Sequence, residues 1–185
     1  MKSRALVIFL LFVVCFYSLN TVSSETVNGS GFYVWKCQIT PDQDNTYSIQ
    51  GADIDGNGVG DVIVGNDGIN KVYLNQGFNS STQCINWKTC QITSDNYNTS
   101  SIVVADVDGD GKLDVIAANR NGPNQIYING GVNPSTGCID WYRSNITNQN
   151  YDSHQVIVYN MDGDNDLDIV VANYGQVNKI YLNNG

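Results

Sequence analysis

Short apolar runs alternate with polar, glycine-rich turns along this chain, and after the first 24 residues no stretch shows a 3.6-residue period. Ile102-Val103-Val104-Ala105 and Val156-Ile157-Val158-Tyr159 each lead into an acidic turn. Val62-Ile63-Val64, Val115-Ile116-Ala117-Ala118 and Ile169-Val170-Val171-Ala172 each follow one. Runs this short, rich in β-branched side chains and bounded by Gly and Asn, predict strands, because helices need longer runs and fewer breakers. A third strand is predicted at Asn70-Lys-Val-Tyr73-Leu-Asn75 and recurs at residues 124–129 and 178–183, a period of 54. Alternation puts Val72 and Leu74 on one face and Tyr73 on the other, so the tyrosines are expected to pack between neighbouring sheets. A fourth strand carries the tryptophans: Trp35-Lys-Cys-Gln-Ile, Trp87-Lys-Thr-Cys-Gln-Ile and Trp141-Tyr-Arg-Ser-Asn-Ile. Four short strands in each unit of about 54 residues describe a propeller blade. The expected fold class is all-β, with three four-stranded antiparallel repeats near 32–78, 79–132 and 133–185 behind a short N-terminal segment, 25–31. In blade terms the chain starts on a fourth strand and stops after a third. Three blades are fewer than the four to eight that close a ring, so a partial propeller is expected, or self-association that completes one.

The turns between the first two strands of each unit carry the chemistry. Asp106, Asp108, Asp110 and Asp114 occupy positions one, three, five and nine of a loop, with Lys112 at position seven. Asp53, Asp55, Asn57, Val59 and Asp61 repeat the pattern, as do Asn160, Asp162, Asp164, Asp166 and Asp168. The spacing is 53 residues from Asp53 to Asp106 and 54 from Asp106 to Asn160. A hard cation such as Ca²⁺ takes six to eight oxygens, which short Asp side chains on a tight turn can supply, with position seven adding a backbone carbonyl. Up to three Ca²⁺ ions are expected, bound more tightly by loops two and three, which carry more carboxylates.

Charge and composition then change the picture in one respect. The net charge of −9 could signal a basic partner, but eleven of the 18 acidic residues lie in the three loops (three, four and four), where cations would offset them. Lys2 and Arg4 ahead of an apolar run, with Val22-Ser23-Ser24 behind it, read as a signal peptide over residues 1–24. The run is short for a membrane span, which needs roughly 20 residues. Secretion is the expectation, with no membrane span after cleavage. Sequons at Asn28, Asn79, Asn98 and Asn145 are candidate glycosylation sites in that setting.

Together, the acidic loop at 106–114, the Val-Ile-Ala-Ala-Asn that follows it, and Asn-Gln-Ile-Tyr-Ile-Asn resemble an FG-GAP/VCBS repeat. The resemblance covers essentially all of residues 32–185. Such repeats build the calcium-bearing propellers of integrin α-chain heads and of many secreted lectin-like or adhesive proteins. The resemblance implies side-chain ligands at loop positions one, three, five and nine, a carbonyl ligand at Val59, Lys112 and Asp166, and a structural role for calcium. It also implies an extracellular protein or glycan as partner. By loose analogy with glycan-binding members, Tyr73, Tyr127 and Trp87 are candidates for ligand contact. An EF-hand is excluded because position twelve is Val64, Ala117 or Val171 and the flanks read as strands.

Removing Cys15 with the leader leaves four cysteines. Cys37 and Cys90 share one repeat position, and Cys84 and Cys138 share another. If each cysteine on a tryptophan strand bridges forward to the next unit, the pairs are Cys37–Cys84 and Cys90–Cys138, with separations of 47 and 48 residues. The rival set, Cys84–Cys90 with Cys37–Cys138, would need two unrelated geometries.

Catalysis finds little support. His154 is the lone histidine, Glu25 the lone glutamate after the leader, and no nucleophile–base order, phosphate loop or basic patch for nucleic acid is present. The expected function is a non-enzymatic extracellular binding or adhesion module. An accessory propeller domain or fragment of a larger secreted enzyme or lectin is the alternative.

Overall fold

The computed structural model describes residues 24–26 and 33–185. The leader up to Ser23, Asn28, and all but Glu25 and Thr26 of the 25–31 segment lie outside the described residues. The chain divides into two units, residues 1–36 and 37–185. In the first, β1 (Ser24–Thr26) and β2 (Tyr33–Trp35) pair antiparallel, with Glu25 opposite Val34. The strand expected to run on through Cys37 stops at Trp35. The corresponding strands of the later repeats continue because each has a tyrosine strand to pair with.

The second unit holds eleven strands and, among the described residues, no helix. Blade one is β3 (Thr46–Ala52), β4 (Asp61–Gly68), β5 (Lys71–Asn79) and β6 (Cys84–Gln91), each antiparallel to the one before. Blade two repeats it with β7 (Tyr97–Ala105), β8 (Asp114–Gly122), β9 (Gln125–Val132) and β10 (Ile139–Asn145). Blade three comprises β11 (Tyr151–Tyr159), β12 (Asp168–Asn173) and β13 (Lys179–Tyr181). Two short bridges link the blades, Asp67 opposite Asn98 with Gly68 opposite Tyr97, and Tyr151 opposite Gly122 with Asp152 opposite Arg120. The arrangement is an open array of propeller blades, as the sequence pattern predicts.

Strand alternation decides which residues meet between sheets. Ile63, Val72, Leu74 and Cys90 of blade one pack on Ile102, Val115, Ala117 and Tyr127 of blade two. The opposite face of blade two, with Ile116 and Ala118, packs on Val156, Ile169 and Val171 of blade three. The tyrosine of the third strand is therefore a spacer between sheets at Tyr127, as expected. Gly65 marks the tightest approach: a Cβ there would lie 2.9 Å from Thr99 Cγ2 and 3.1 Å from Ile102 Cγ2.

The strands run further than the apolar pattern predicts, through polar residues that local propensity marks as strand boundaries. Asn66, Thr99, Asn119, Asn124 and Ser153 are buried, and each is satisfied by a repeating set of bonds. The Thr46, Thr99 and Ser153 hydroxyls donate to Asn66, Asn119 and Asn173 Oδ1, each at 2.7 Å. Asn70 and Asn124 Nδ2 donate to the Thr99 and Ser153 hydroxyl oxygens of the following blade, both at 2.9 Å. Asn70, Asn124 and Asn178 Oδ1 in turn accept from the Asn66, Asn119 and Asn173 N–H groups. A polar belt thus crosses each junction beside the apolar one. Burial of such groups is tolerated because each has a partner.

Both expected disulfides form. Cys37–Cys84 and Cys90–Cys138 span 5.7 and 5.8 Å between Cα atoms. The second joins β6 of blade one to the residue before β10 of blade two, and so staples adjacent blades. On the chain-entropy estimate, a closed loop of this length stabilises by about 4 kcal/mol.

Thr99→Val keeps the shape of the side chain but leaves Asn70 Nδ2 and Asn119 Oδ1 without their shared hydroxyl. It should lower unfolding free energy by about 1–3 kcal/mol, read from urea midpoints. The exposed Thr136→Val should shift the midpoint by less than about 0.5 kcal/mol.

Candidate metal centre

Each acidic loop folds by bonding its own carboxylates to its own backbone. The position-one side chain accepts first: Asp53 from the Asn57 and Gly58 N–H groups at 2.9 and 2.8 Å, Asp106 from Gly109 and Gly111 at 2.8 and 2.9 Å, Asn160 from Gly163 at 2.6 Å. At position five, Asn57, Asp110 and Asp164 each accept the N–H two residues on, from Val59, Lys112 and Asp166 at 2.8–3.0 Å. Position four is glycine throughout, with φ of 74°, 74° and 89° at Gly56, Gly109 and Gly163. An L side chain rarely adopts that region, and glycine enters it without steric cost.

The position-nine aspartates behave differently from the others. Asp61, Asp114 and Asp168 are buried. One oxygen of each accepts the position-two N–H of its own loop (Ile54, Val107, Met161) at 3.0, 3.0 and 2.6 Å. The other accepts the N–H of the asparagine that ends the third-strand motif (Asn75, Asn129, Asn183) at 2.8, 2.8 and 2.9 Å. This carboxylate therefore clamps the first hairpin to the third strand. The same asparagines reach further: Asn129 Nδ2 donates to the Ile54 carbonyl of the preceding blade at 2.9 Å, and Asn183 Nδ2 to the Val107 carbonyl at 2.8 Å.

Two loops bring carboxylates together. In each of the sets Asp53, Asp55, Asp61 and Asp106, Asp108, Asp114, one oxygen per residue lies within 4.8 Å of the others. These groups can hold a metal ion. Burial is the main cause of a raised pKa at Asp55 and at Asp114, and the charges of Asp61 and Asp53, or of Asp108 and Asp106, push the same way. At Asp168 the Asn183 and Met161 N–H bonds outweigh burial, and its pKa is lowered. Loop three has Asn160 in place of the position-one carboxylate, and no such trio of carboxylates is found there among the described residues.

Positions five and seven sit at the edge of this convergence. Asp110 lies outside the trio, and the Lys112 ammonium bonds its Oδ2, so the lysine adds a side-chain contact to the backbone role expected of it. That bond lowers the Asp110 pKa and raises that of Lys112. Val59 and Lys112 are exposed and Asp166 is half-buried.

The aromatic candidates fall elsewhere. Tyr73 and Tyr127 are buried. The Tyr127 hydroxyl donates to Gln125 Oε1 at 2.5 Å and is walled in beside Asp95, which Arg143 also contacts at 2.5 Å. Neither tyrosine offers a face to a ligand, and packing accounts for both. Trp87 is half-buried. Among the sequons, Asn145 is exposed and Asn79 half-buried. Asn98 has its Oδ1 enclosed, and the Thr99 of its sequon is buried in the belt.

What the sequence reading missed is the second use of the repeat's asparagines. Their period of 54 was visible, but not their pairing with buried carboxylates and hydroxyls. Polar residues recurring inside strand segments were the available signal.

A family model described as FG-GAP-like repeat matches residues 53–117 and again residues 106–171. No curated protein matches the chain.

In metal-free buffer, Asp114→Ala should lower stability by about 2–3 kcal/mol, since two buried N–H groups lose a charged acceptor. Asp108→Ala under the same conditions should cost less than about 0.5 kcal/mol. Urea unfolding in chelator checks both.

Proposed function

Because the chain belongs to the FG-GAP-like repeat family, we propose that it is a secreted β-propeller module that holds structural calcium and binds an extracellular protein or glycan. The convergence of three carboxylates in each of loops one and two carries the metal reading. The donors are all oxygen, which suits a hard cation such as Ca²⁺ and not the nitrogen and sulfur sites of zinc. Asp53, Asp55 and Asp61, with Asn57 and the Val59 carbonyl, would hold one ion. Asp106, Asp108 and Asp114, with Asp110 and the Lys112 carbonyl, would hold another. A bound cation supplies positive charge where burial and like charges already press on Asp55 and Asp114. Its role is to fix the hairpin.

Secretion is supported by the two disulfides, which persist in oxidising compartments, and by the apolar leader. No helix among the described residues is long and apolar enough to cross a membrane. In the secreted protein Asn145 is the sequon most open to an oligosaccharide. Peptide mapping should find it modified and Asn98 bare.

Calorimetric titration of the metal-free protein should show calcium uptake. Loop two should be the tighter site, because it carries four carboxylates where loop one carries three and ligand charge raises affinity. Asp108→Ala should abolish that site and lower the melting temperature in calcium while leaving melting in chelator unchanged. No heat of binding, together with equal melting in calcium and chelator, would remove the metal reading. A glycan array probed with the calcium-loaded protein separates glycan from protein ligands.

A further inference from the structure

Position five of the acidic loop is an aspartate in loops two and three but an asparagine in loop one, where Asn57 is followed by Gly58. In an Asn–Gly pair the backbone nitrogen of the glycine can attack the side-chain amide before it, because glycine puts no Cβ beside the closing ring. Five such pairs occur in the chain. Asn28-Gly29 lies outside the described residues. The other four stand in different surroundings.

At Asn57 each reacting atom has a partner suited to the reaction. The Gly58 N–H, which loses its proton as the nitrogen attacks, donates to Asp53 Oδ2 at 2.8 Å. Asn57 Oδ1 gathers negative charge as its carbon is attacked, and it accepts the Val59 N–H at 2.9 Å. A backbone N–H aimed at such an oxygen stabilises the charge that develops there. The leaving nitrogen, Asn57 Nδ2, donates to Asp55 Oδ2 at 3.1 Å, which orients the amide. Asn57 and Gly58 are exposed, and nothing lies within 4 Å of a Cβ placed at Gly56, Gly58 or Gly60, so the ring has room to close. The other pairs lack this set. Gly122 is buried, and a Cβ on it would lie 2.9 Å from Tyr97 Cδ1. Asn129 is buried, with Nδ2 held by the Ile54 and Leu113 carbonyls at 2.9 and 3.0 Å. The Gly185 N–H goes to the amide oxygen of Asn183 at 3.4 Å, a far weaker base than a carboxylate.

We propose that loop one modifies itself at Asn57, with Asp53 as the base. Asp53 Oδ2 takes the Gly58 amide proton and the Gly58 nitrogen bonds to Asn57 Cγ. The proton passes to Nδ2 as the Cγ–Nδ2 bond breaks and ammonia leaves. Water then opens the succinimide ring. Attack of water at Cγ leaves aspartate, and attack at the main-chain carbonyl of the same residue leaves isoaspartate, with the chain running through the side chain. The balance is amide plus water to carboxylate plus ammonium, with no change of oxidation state. Loop two shows that the aspartate product fits the fold. Asp110 accepts the Lys112 N–H at 2.8 Å as Asn57 accepts that of Val59, and Asp106 accepts the Gly111 N–H at 2.9 Å as Asp53 accepts that of Gly58. Aspartate at position 57 gives loop one the four carboxylates of loop two, whereas isoaspartate lengthens the backbone inside the turn and moves the Val59 carbonyl. That consequence for calcium rests on the metal reading above, and the conversion itself does not.

The purified chain, held in chelator at neutral pH and followed by peptide mass mapping over time, reports the conversion independently of metal uptake. The peptide bearing Asn57 should gain aspartate and isoaspartate, while those bearing Asn121 and Asn129 stay unchanged. Asp53→Asn gives position one the residue that Asn160 supplies in loop three. It should keep the fold and slow conversion at Asn57 by about 100-fold, the lower end of what a positioned general base contributes. Asp110→Asn places the same pair in loop two, beside Asp106, and should revert to aspartate as fast as Asn57 converts. An intact Asn57, an Asn121 that converts as fast, or an Asp53→Asn chain that converts at the parent rate overturns the proposal. Should Asp53→Asn fail to fold, loop two decides: an Asp110→Asn chain that keeps its amide overturns it.

Discussion

The structure depends on one buried carboxylate per blade. Asp61, Asp114 and Asp168 each accept two backbone N–H groups, one from the turn ahead and one from the asparagine that ends the third-strand motif. A hydrogen bond to a charged group contributes roughly 1.5–3 kcal/mol, and leaving its donor buried and unpaired costs a similar amount. The clamp also sets direction. The position-two residue gives its N–H to the aspartate of its own loop and, at Ile54 and Val107, lends its carbonyl to the asparagine of the next blade. The acidic loop is thereby the joint between sheets as well as a turn within one.

Around that joint the two kinds of contact divide the work. Apolar faces meet at each junction, but side chains such as Val115 and Ala117 are small and give no register. Register comes from the Asn and Thr or Ser belt, in which a single hydroxyl serves two blades. Such a network rewards one arrangement, since a shift of one residue would strand several buried donors at once. The disulfide from Cys90 to Cys138 locks the same junction covalently at its outer edge.

The period, the strand order, the three acidic loops and the disulfide pairs were all legible in the sequence, because each is a spacing that a repeat preserves. The convergence of Asp106, Asp108 and Asp114 was legible for the same reason. Strand lengths were not. Asn66, Asn119 and Asn173 read as breakers by local propensity, and only their partners in space make them strand residues. The dual role of Asn75, Asn129 and Asn183 was hidden because an asparagine at a strand end has many uses and its partner, a buried aspartate, lies 14 or 15 residues away. The early stop of β2 at Trp35 was hidden as well, since a strand motif cannot show whether a neighbour is there to pair with it.

Amide hydrogen exchange, residue by residue, in calcium and in chelator tests most directly the claim that one loop does two separable jobs. The Val107 and Asn129 N–H groups, held by Asp114, should exchange slowly in both conditions. The Gly109 and Gly111 N–H groups are exposed in the loop and held by the Asp106 carboxylate, and they should become slow only with calcium. Equal protection of all four in both conditions, or loss of protection at Val107 and Asn129 when calcium is removed, would contradict the account.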